Sequence, residues 1–272
     1  MKTIIALACT ILAAGVLRAQ IPIHSWISAS DDYAPVYSNL HKRWYITRTT
    51  SQHTAVLATT DLSVPPENVS ITTNLSASSL GCLTISNDGE AYAVTYLLGQ
   101  RQVYASVVRV FLSDTAIVVD KPVESLTGQW YTSFPAISPD ARRMVVVSDR
   151  EGGLGGTDLW VVEKMVDGSW SEPQHGGASI NSNGNETTPQ FVSVDTLLFS
   201  SDGFGGAGGY DVFRTVFANG RWSDPVPIEA VNGPLDETDA VLAPDRRLLF
   251  CRPAKQDRTD IDIWQVETSE WE

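Results

Sequence analysis

The sequence predicts an all-β protein that folds as a single five-bladed propeller. Short runs rich in Val, Ile, Leu and aromatic residues alternate with clusters of Gly, Pro, Asn and Asp, which is typical of strands and turns. After the N-terminal segment, no stretch keeps the 3.6-residue period of an amphipathic helix. The same features also recur about every 50 residues. With 272 residues and 43% hydrophobic content, the chain can bury a large core.

The two clearest copies of the repeat lie in the second half of the chain. Each contains two aspartates nine residues apart, with a glycine-rich segment between them. The pairs are Asp149 with Asp158 and Asp202 with Asp211. Each copy continues to a Trp-Ser-acid-Pro motif, at residues 170–173 and 222–225. Because these features recur in the same order and phase, they indicate repeated structural units.

Weaker copies precede these two and a further copy follows them, which gives five in all. Equivalent positions are 48, 52, 55 and 50 residues apart, at Asn39, Asn87, Pro139, Val194 and Pro244. The predicted repeats cover residues 33–80, 81–133, 134–188, 189–239 and 240–272. Five units with about four short strands each predict a β-propeller of four-stranded antiparallel blades.

The last repeat lacks its final strand, and the beginning of the chain offers a replacement. Pro22 lies 13 residues before Pro35, and the same spacing separates Pro122 from Pro135. We therefore expect residues 21–28 to complete the fifth blade. This closure removes two unpaired sheet edges.

The first 19 residues predict export. Lys2, the apolar run of residues 4–17 and the small residue Ala19 form the pattern of a secretory signal, and cleavage after Ala19 leaves a propeller domain of residues 20–272. We expect no transmembrane span in the mature chain. The formal charge of −13 becomes −15 when Lys2 and Arg18 are removed, and this acidity argues against nucleic acid as a partner.

The glycine-rich segments predict tight turns between strands. Residues 203–208 match the spacing of a dinucleotide-binding loop, but the segment that follows is a predicted strand and not the helix that such a site needs. Asp149, Asp158, Asp202 and Asp211 are therefore expected to accept backbone N–H groups in turns where glycine supplies positive φ. Ca²⁺ bound by these aspartates and loop carbonyls is the alternative, and no other cofactor or metal is predicted.

Acidic residues precede the innermost strand of three repeats and are expected to gather at one mouth of the central channel. They are Asp31, Asp32, Glu186, Asp236, Glu237 and Asp239. Their role stays open between bonding a neighbouring loop, binding a partner or cation, and catalysis. As catalysts, Asp32 with Glu186 or Glu237 would form the carboxyl pair that glycoside hydrolysis needs. Glu186 and Glu237 occupy the same repeat position, which favours a structural task.

Residues 134–272 resemble the WD40-like Pro-Asp repeat of TolB-type propellers, and in particular the version found in Bacteroidota envelope proteins. The resemblance rests on the Ile-Ser-Pro-Asp motif at residues 137–140, the paired aspartates, the glycine-rich segments and the Trp-Ser-acid-Pro motifs. Residues 33–133 match it only weakly. In that family the repeat is often fused to an OmpA-type domain, which the sequence given does not show. The resemblance implies a binding scaffold and not an enzyme.

The function favoured by the sequence is accordingly an exported, non-enzymatic propeller that binds a protein partner in the bacterial envelope. Its expected location is the periplasm or the outer membrane, and the extracellular space is the alternative. The alternative is a glycan-active enzyme that uses carboxylates at the channel mouth, and a third option is a calcium-stabilised lectin-like module. The sequence does not predict the oligomeric state.

Overall fold

The fold is that of an all-β, five-bladed propeller, as the sequence predicts. The structure is a computed structural model that describes residues 19–26, 28, 30–51, 53–75, 77–98, 103–254 and 260–267. Residues 1–18 of the predicted export signal lie outside the described residues. The described strands form five sheets, each of which is one blade.

The strands follow one another blade by blade along the chain. Blade 1 contains β2 (Asp31–Ser38), β3 (Arg43–Thr49), β4 (Thr54–Thr59) and β5 (Glu67–Asn68). Blade 2 contains β6 (Ser70–Thr72), β7 (Ala77–Ile85), β8 (Ala91–Leu98), β9 (Val103–Leu112) and β10 (Ala116–Pro122). Blade 3 contains β11 (Thr132–Ile137), β12 (Arg143–Ser148), β13 (Asp158–Glu163) and β14 (Gln174–His175). Blade 4 contains β15 (Glu186–Phe191), β16 (Thr196–Ser201), β17 (Asp211–Ala218), β18 (Arg221–Trp222) and β19 (Val226–Pro227).

Blade 5 joins the two ends of the chain. It contains β20 (Thr238–Leu242), β21 (Arg247–Pro253), β22 (Ile261–Glu267) and the N-terminal strand β1 (Ile21–Pro22). Strand β1 pairs antiparallel with β22, which confirms the predicted closure of the ring. The rest of the predicted closing segment differs, because His24–Trp26 form a 3₁₀ turn and not a strand. A second 3₁₀ turn, Glu124–Leu126, follows blade 2.

Within each blade the principal strands run antiparallel from the channel outwards. One departure is β6, which pairs in parallel with the outer strand β10 and gives blade 2 a fifth strand. We call the end of the channel where the innermost strands begin the upper mouth, and the end where they finish the lower mouth. The innermost strands are β2, β7, β11, β15 and β20.

The hydrophobic core consists of separate clusters at the junctions between blades. Blades 1 and 2 share one cluster, blades 2 and 3 a second, blades 3 and 4 a third, and blades 4 and 5 a fourth. A fifth cluster joins blades 5 and 1 and includes Ile23 and Trp26 from the closing segment. Each blade therefore buries its faces only against its neighbours, as expected for a repeat architecture.

Every innermost strand contains a β-bulge at the same position. One residue in each bulge has a φ between +45° and +53°, in the left-handed region that non-glycine residues seldom adopt. These residues are Ala34, Cys82, Phe134, Thr188 and Asp239. All five line one narrow cavity on the channel axis, and we refer to them as the axial ring.

The glycine-rich loops pack against the connection that leads into the next blade. A Cβ atom on Gly155 would lie 1.9 Å from the carbonyl oxygen of Gly184, and one on Gly208 would lie 2.0 Å from that of Leu235. Glycine is needed at these positions because two backbones approach each other closely, and not because φ is positive. Positive φ is the reason at Gly152, where it is +94°. None of the helices in the described ranges has the length and hydrophobicity that a membrane crossing requires.

Candidate functional site

Three of the predicted acids occupy equivalent positions at the upper mouth. Asp32, Glu186 and Glu237 each lie two residues before an axial-ring residue, and each is 0% exposed to solvent. The corresponding residues of blades 2 and 3 are Leu80 and Thr132. The three carboxylates are thus a repeated feature of the fold, and what they do follows from their partners.

Asp32 is fixed by an arginine on the neighbouring strand. Arg48 Nε lies 2.6 Å from Asp32 Oδ1, and Arg48 Nη2 lies 2.8 Å from Asp32 Oδ2. Ser28 Oγ donates a third hydrogen bond, 3.0 Å long, to Oδ2. The hydrogen bond to Asp32 raises the pKa of Arg48. This bidentate pair satisfies the buried carboxylate and ties β2 to β3.

Glu186 is held by hydroxyl and backbone donors. Ser182 Oγ and Ser201 Oγ donate to its Oε1 at 2.6 and 2.7 Å, and the Ser182 N–H donates to Oε2 at 3.0 Å. Burial raises the pKa of Glu186, and these hydrogen bonds oppose the rise. The side chain clamps the loop that enters blade 4, which is the loop-bonding role among the three that the sequence left open.

Glu237 is less completely satisfied than its two equivalents. The Gly233 N–H donates to Oε2 at 2.8 Å, while Oε1 has no hydrogen-bond partner among the described residues. Arg252 Nη1 is 3.9 Å from Oε1. Burial raises the pKa of Glu237 to about 7, against the opposing effects of the Gly233 N–H and of Arg252.

Asp31 and Asp236 reach the surface of the upper mouth. Asp31 is partly exposed and accepts a hydrogen bond of 3.1 Å from the Ile261 N–H, across the junction between blades 1 and 5. Asp236 is exposed and accepts one of 3.0 Å from the Tyr210 N–H. Both residues keep solvent-exposed surface, in contrast to Asp32, Glu186 and Glu237.

Asp239 has a different position, because it belongs to the axial ring itself. The residue as a whole is half-buried, and its carboxyl group accepts hydrogen bonds from the Thr238 hydroxyl and the Ala34 N–H. Burial raises the pKa of Asp239 to about 6. The ring encloses a volume of only about 30 Å³, so a sugar cannot pass through it.

The axial ring is asymmetric in chemistry although it is symmetric in backbone conformation. Asp239 is the acid among ring positions that otherwise carry alanine, cysteine, phenylalanine and threonine. Two residues further along each innermost strand, Gln190 stands where the other blades have Val36, Thr84, Ala136 and Val241. The sequence analysis included Asp239 among the mouth acids and missed Gln190. Alignment of the five repeats would have identified Gln190 as the one amide at its position.

A second cavity, of about 270 Å³, opens at the lower mouth. Its lining includes Tyr37, Asn39, Asn87, Gln190 and Phe191, and none of the lining residues that the structure describes is charged. Gln190 also borders the axial ring, so the lower cavity ends at the ring. The two mouths therefore differ in chemistry, with carboxylates above and neutral amides and aromatic side chains below.

The four turn aspartates bind backbone and amide donors. Asp149 accepts from the Tyr131 N–H, Asp158 from the N–H groups of Leu154 and Gly155, Asp202 from the Asn185 N–H, and Asp211 from the Gly208 N–H. Each of the four aspartates therefore has at least one oxygen bonded to a backbone N–H, as the predicted turns require. In the part of the chain that the structure describes, no three His, Cys, Asp or Glu side chains come together as metal ligands would.

A larger cleft, of about 520 Å³, lies away from the axis, between blades 2 and 3. The Tyr92 hydroxyl on its wall donates to Glu90 Oε1 at 2.5 Å, and Trp170 Nε1 donates to the Tyr92 oxygen at 2.9 Å. Lys164 pairs with Glu90 and lies 4.7 Å from the centre of the Trp170 ring. These groups satisfy one another, and they add to the hydrophobic cluster that joins blades 2 and 3.

The fold and the axial site define a five-bladed propeller with an acid on its axis. The sequence matches no protein-family model and no curated protein. A thermostable family-43 glycoside hydrolase has a TM-score of 0.62 at 11% identity, over 89% of this chain and 90% of its own. An endo-arabinase from Bacteroides thetaiotaomicron has a TM-score of 0.59 at 12% identity, over 91% and 96%. A structure described as TolB from Agrobacterium tumefaciens has a TM-score of 0.51 at 15% identity, over 90% and 82%.

These comparisons correct the function that the sequence favoured. The non-enzymatic envelope scaffold was inferred from a likeness to TolB-type propellers, and the glycoside hydrolase and the arabinase resemble this chain more closely than TolB does. The TolB likeness holds at the level of the fold. No family or sequence match supports the finer link to OmpA-associated envelope proteins of Bacteroidota. At these identities the similarities show the fold alone.

Proposed function

We propose that the protein acts on a glycan as a hydrolase, with Asp239 as the proton donor. The observation that carries the proposal is the carboxyl group of Asp239, a half-buried residue on the channel axis, whose pKa is raised to about 6 by burial. A carboxylic acid that keeps its proton up to about pH 6 can supply the proton that the departure of a sugar leaving group requires. The glycoside hydrolase and arabinase with similar folds support a glycan as the substrate.

The proposed proton donor is therefore Asp239 and not one of the three buried acids that the sequence suggested as catalysts. Asp32, Glu186 and Glu237 are 0% exposed and bonded to the protein, whereas the catalyst must touch the substrate. Glycoside hydrolysis uses a second carboxyl group as base or nucleophile. Asp31 and Asp236 are the predicted acids of the upper mouth that keep solvent-exposed surface, and the proposal selects its second carboxylate from these two.

The test is hydrolysis of a panel of plant and bacterial polysaccharides by the wild-type protein and by Asp239→Asn. Asparagine tolerates the left-handed conformation at position 239 but cannot donate a catalytic proton, so turnover should fall by about 10²–10⁴-fold. Asp224→Asn, at an exposed position on the outer edge of blade 4, is the matched control and should keep full activity. Activity should also decline as the pH rises above about 6, because Asp239 then loses its proton.

Three results would decide against this function. They are the absence of hydrolysis on every polysaccharide, full activity of Asp239→Asn, and a rate that rises through pH 6. Asp31→Asn and Asp236→Asn then identify the second carboxylate, since only its replacement should reduce turnover as strongly as Asp239→Asn does.

Secretion and cellular location stay predictions from the sequence. The N-terminal pattern favours secretion, which would bring a glycan-active propeller to extracellular or periplasmic polysaccharide. The formal charge of −13 disfavours nucleic acid as a ligand. A protein partner in the envelope is not required by the proposed function.

A further inference from the structure

The lower cavity presents polar groups that the fold itself does not use. The Gln190 side chain is half-buried and makes no hydrogen bond within the described part of the chain, although it lies where both axial cavities meet. A half-buried amide with two free donors and a free acceptor is costly unless water or a ligand satisfies it. It also interrupts a repeat position that is valine in blades 1 and 5.

Other groups on the cavity wall add to this set. The hydroxyl of Tyr37 likewise has no partner among the described residues, while the Tyr37 ring packs at 5.2 Å against Trp44 and is thereby held in place. Asn39 Nδ2 donates to Asn87 Oδ1 at 3.1 Å, which leaves the Asn39 oxygen and the Asn87 amino group available at the rim. Phe191 contributes an apolar wall. The cavity thus offers donors, acceptors and apolar surface without any charge.

We propose that the lower cavity binds a single neutral sugar residue at the end of a glycan chain. Hydroxyl groups both donate and accept hydrogen bonds, as the Gln190 amide, the Tyr37 hydroxyl and the two asparagines require. The C–H face of a sugar suits the aromatic walls. The volume of about 270 Å³ lies just below the range of about 300–1,000 Å³ usual for ligand sites, which limits the occupant to one residue.

The shape of the cavity and its lack of charge select among glycans. The axial ring closes the inner end, so only the terminus of a chain can enter. A uronic acid would bring a carboxylate to a site with no cation, in a protein with a formal charge of −13. This site is separate from the proposed catalytic one, because it opens at the opposite mouth and contains no carboxyl group.

The experiment measures binding of xylose, arabinose, glucose, galactose and glucuronic acid to the full-length protein by ligand-observed NMR and calorimetry. At least one neutral sugar should bind, and glucuronic acid should bind at least tenfold more weakly. Gln190→Val inserts the residue found at the same position in blades 1 and 5, so the blade should still fold, and it should weaken the neutral sugar at least tenfold. Tyr37→Phe removes only the hydroxyl and should weaken it severalfold.

Gln174→Val is the matched control, because Gln174 is exposed on the outer strand β14, and it should bind sugar as the wild type does. The inference is overturned if no neutral sugar binds, if glucuronic acid binds equally well, or if Gln190→Val binds like the wild type. These outcomes are independent of hydrolysis. Loss of turnover in Asp239→Asn with unchanged binding in Gln190→Val would reject the lower site and retain the proposed function.

Discussion

At the scale of single residues, buried carboxylates at equivalent positions in the repeat differ in how closely they pair with an arginine. Asp32 and Glu237 both face an arginine on the adjacent strand, yet Asp32 forms a bidentate pair and Glu237 stays 3.9 Å from its arginine. Arg252 instead lies 4.0 Å from the centre of the Trp264 ring. One Glu237 oxygen is therefore buried without a hydrogen bond, and burial dominates its pKa.

The raised pKa of Glu237 predicts a stability that falls as the pH rises. Because the pKa moves from an ordinary value of 4.5 up to about 7, the folded protein binds more protons than the unfolded chain between these pH values. The stabilisation by this group is complete below about pH 4.5 and is lost as the pH passes 7. Glu237→Gln should remove roughly 1–3 kcal/mol of the difference in unfolding free energy between pH 4.5 and pH 7.5.

Urea unfolding of the wild type and of Glu237→Gln at the two pH values gives this difference directly. Glu67→Gln, at an exposed position on β5, is the control and should leave the pH dependence as it is in the wild type. If Glu237→Gln loses as much stability as the wild type between pH 4.5 and pH 7.5, then Glu237 is already ionised in the folded protein.

At the scale of elements, loop contacts add to the side-chain packing at two of the junctions between blades. Asn181 uses its amide to pair with both the N–H and the C=O of Leu159, at 2.7 and 3.0 Å, and Asn232 does the same with Val212 at 2.8 and 2.9 Å. Each asparagine thereby imitates one residue of a neighbouring strand. The glycine-rich loops pack on the same connections.

Replacement of a glycine whose backbone contacts the next connection should therefore destabilise the junction between two blades. In Gly208→Ala the new Cβ would meet the Leu235 carbonyl at 2.0 Å, so one backbone must shift, at an expected cost of about 2–4 kcal/mol. Gly220→Ala is the control, because a Cβ there meets nothing within 4 Å and only its φ of +78° adds about 1 kcal/mol. Chemical denaturation compares the two, and equal losses would show that the loop contact is adaptable.

The elements also show which parts of the site can be predicted from sequence. The phase of the repeat is enough to place Asp32, Glu186 and Glu237 at one mouth, because period and strand order fix the ends of the innermost strands. It cannot place Asp239 on the axis, since that depends on a bulge whose φ of +53° leaves no mark in the composition. The parallel pairing of β6 with β10 cannot be predicted either, because no local sequence feature specifies it.

At the scale of the whole molecule, stability depends on all five junctions at once. Each hydrophobic cluster belongs to two blades, so the loss of any junction exposes apolar surface on both sides. The junction between blades 5 and 1 is joined by residues from opposite ends of the chain. Gln20 ties the closing segment to the connection between blades 4 and 5, because its amide donates to the carbonyl oxygens of Ala230 and Val231 at 3.0 and 2.8 Å.

Strand β1 should therefore contribute more to the free energy of unfolding than its short length suggests. A chain that starts at His24 lacks β1 and the buried Ile23, whose N–H donates to the Ile263 carbonyl at 3.0 Å. Compared with a chain that starts at Gln20, it should lose about 2–4 kcal/mol of unfolding free energy. It should also self-associate, because β22 becomes an open edge. Urea unfolding and light scattering test both effects, and equal midpoints with no association would mean that the ring is held by its other four junctions and by Trp26.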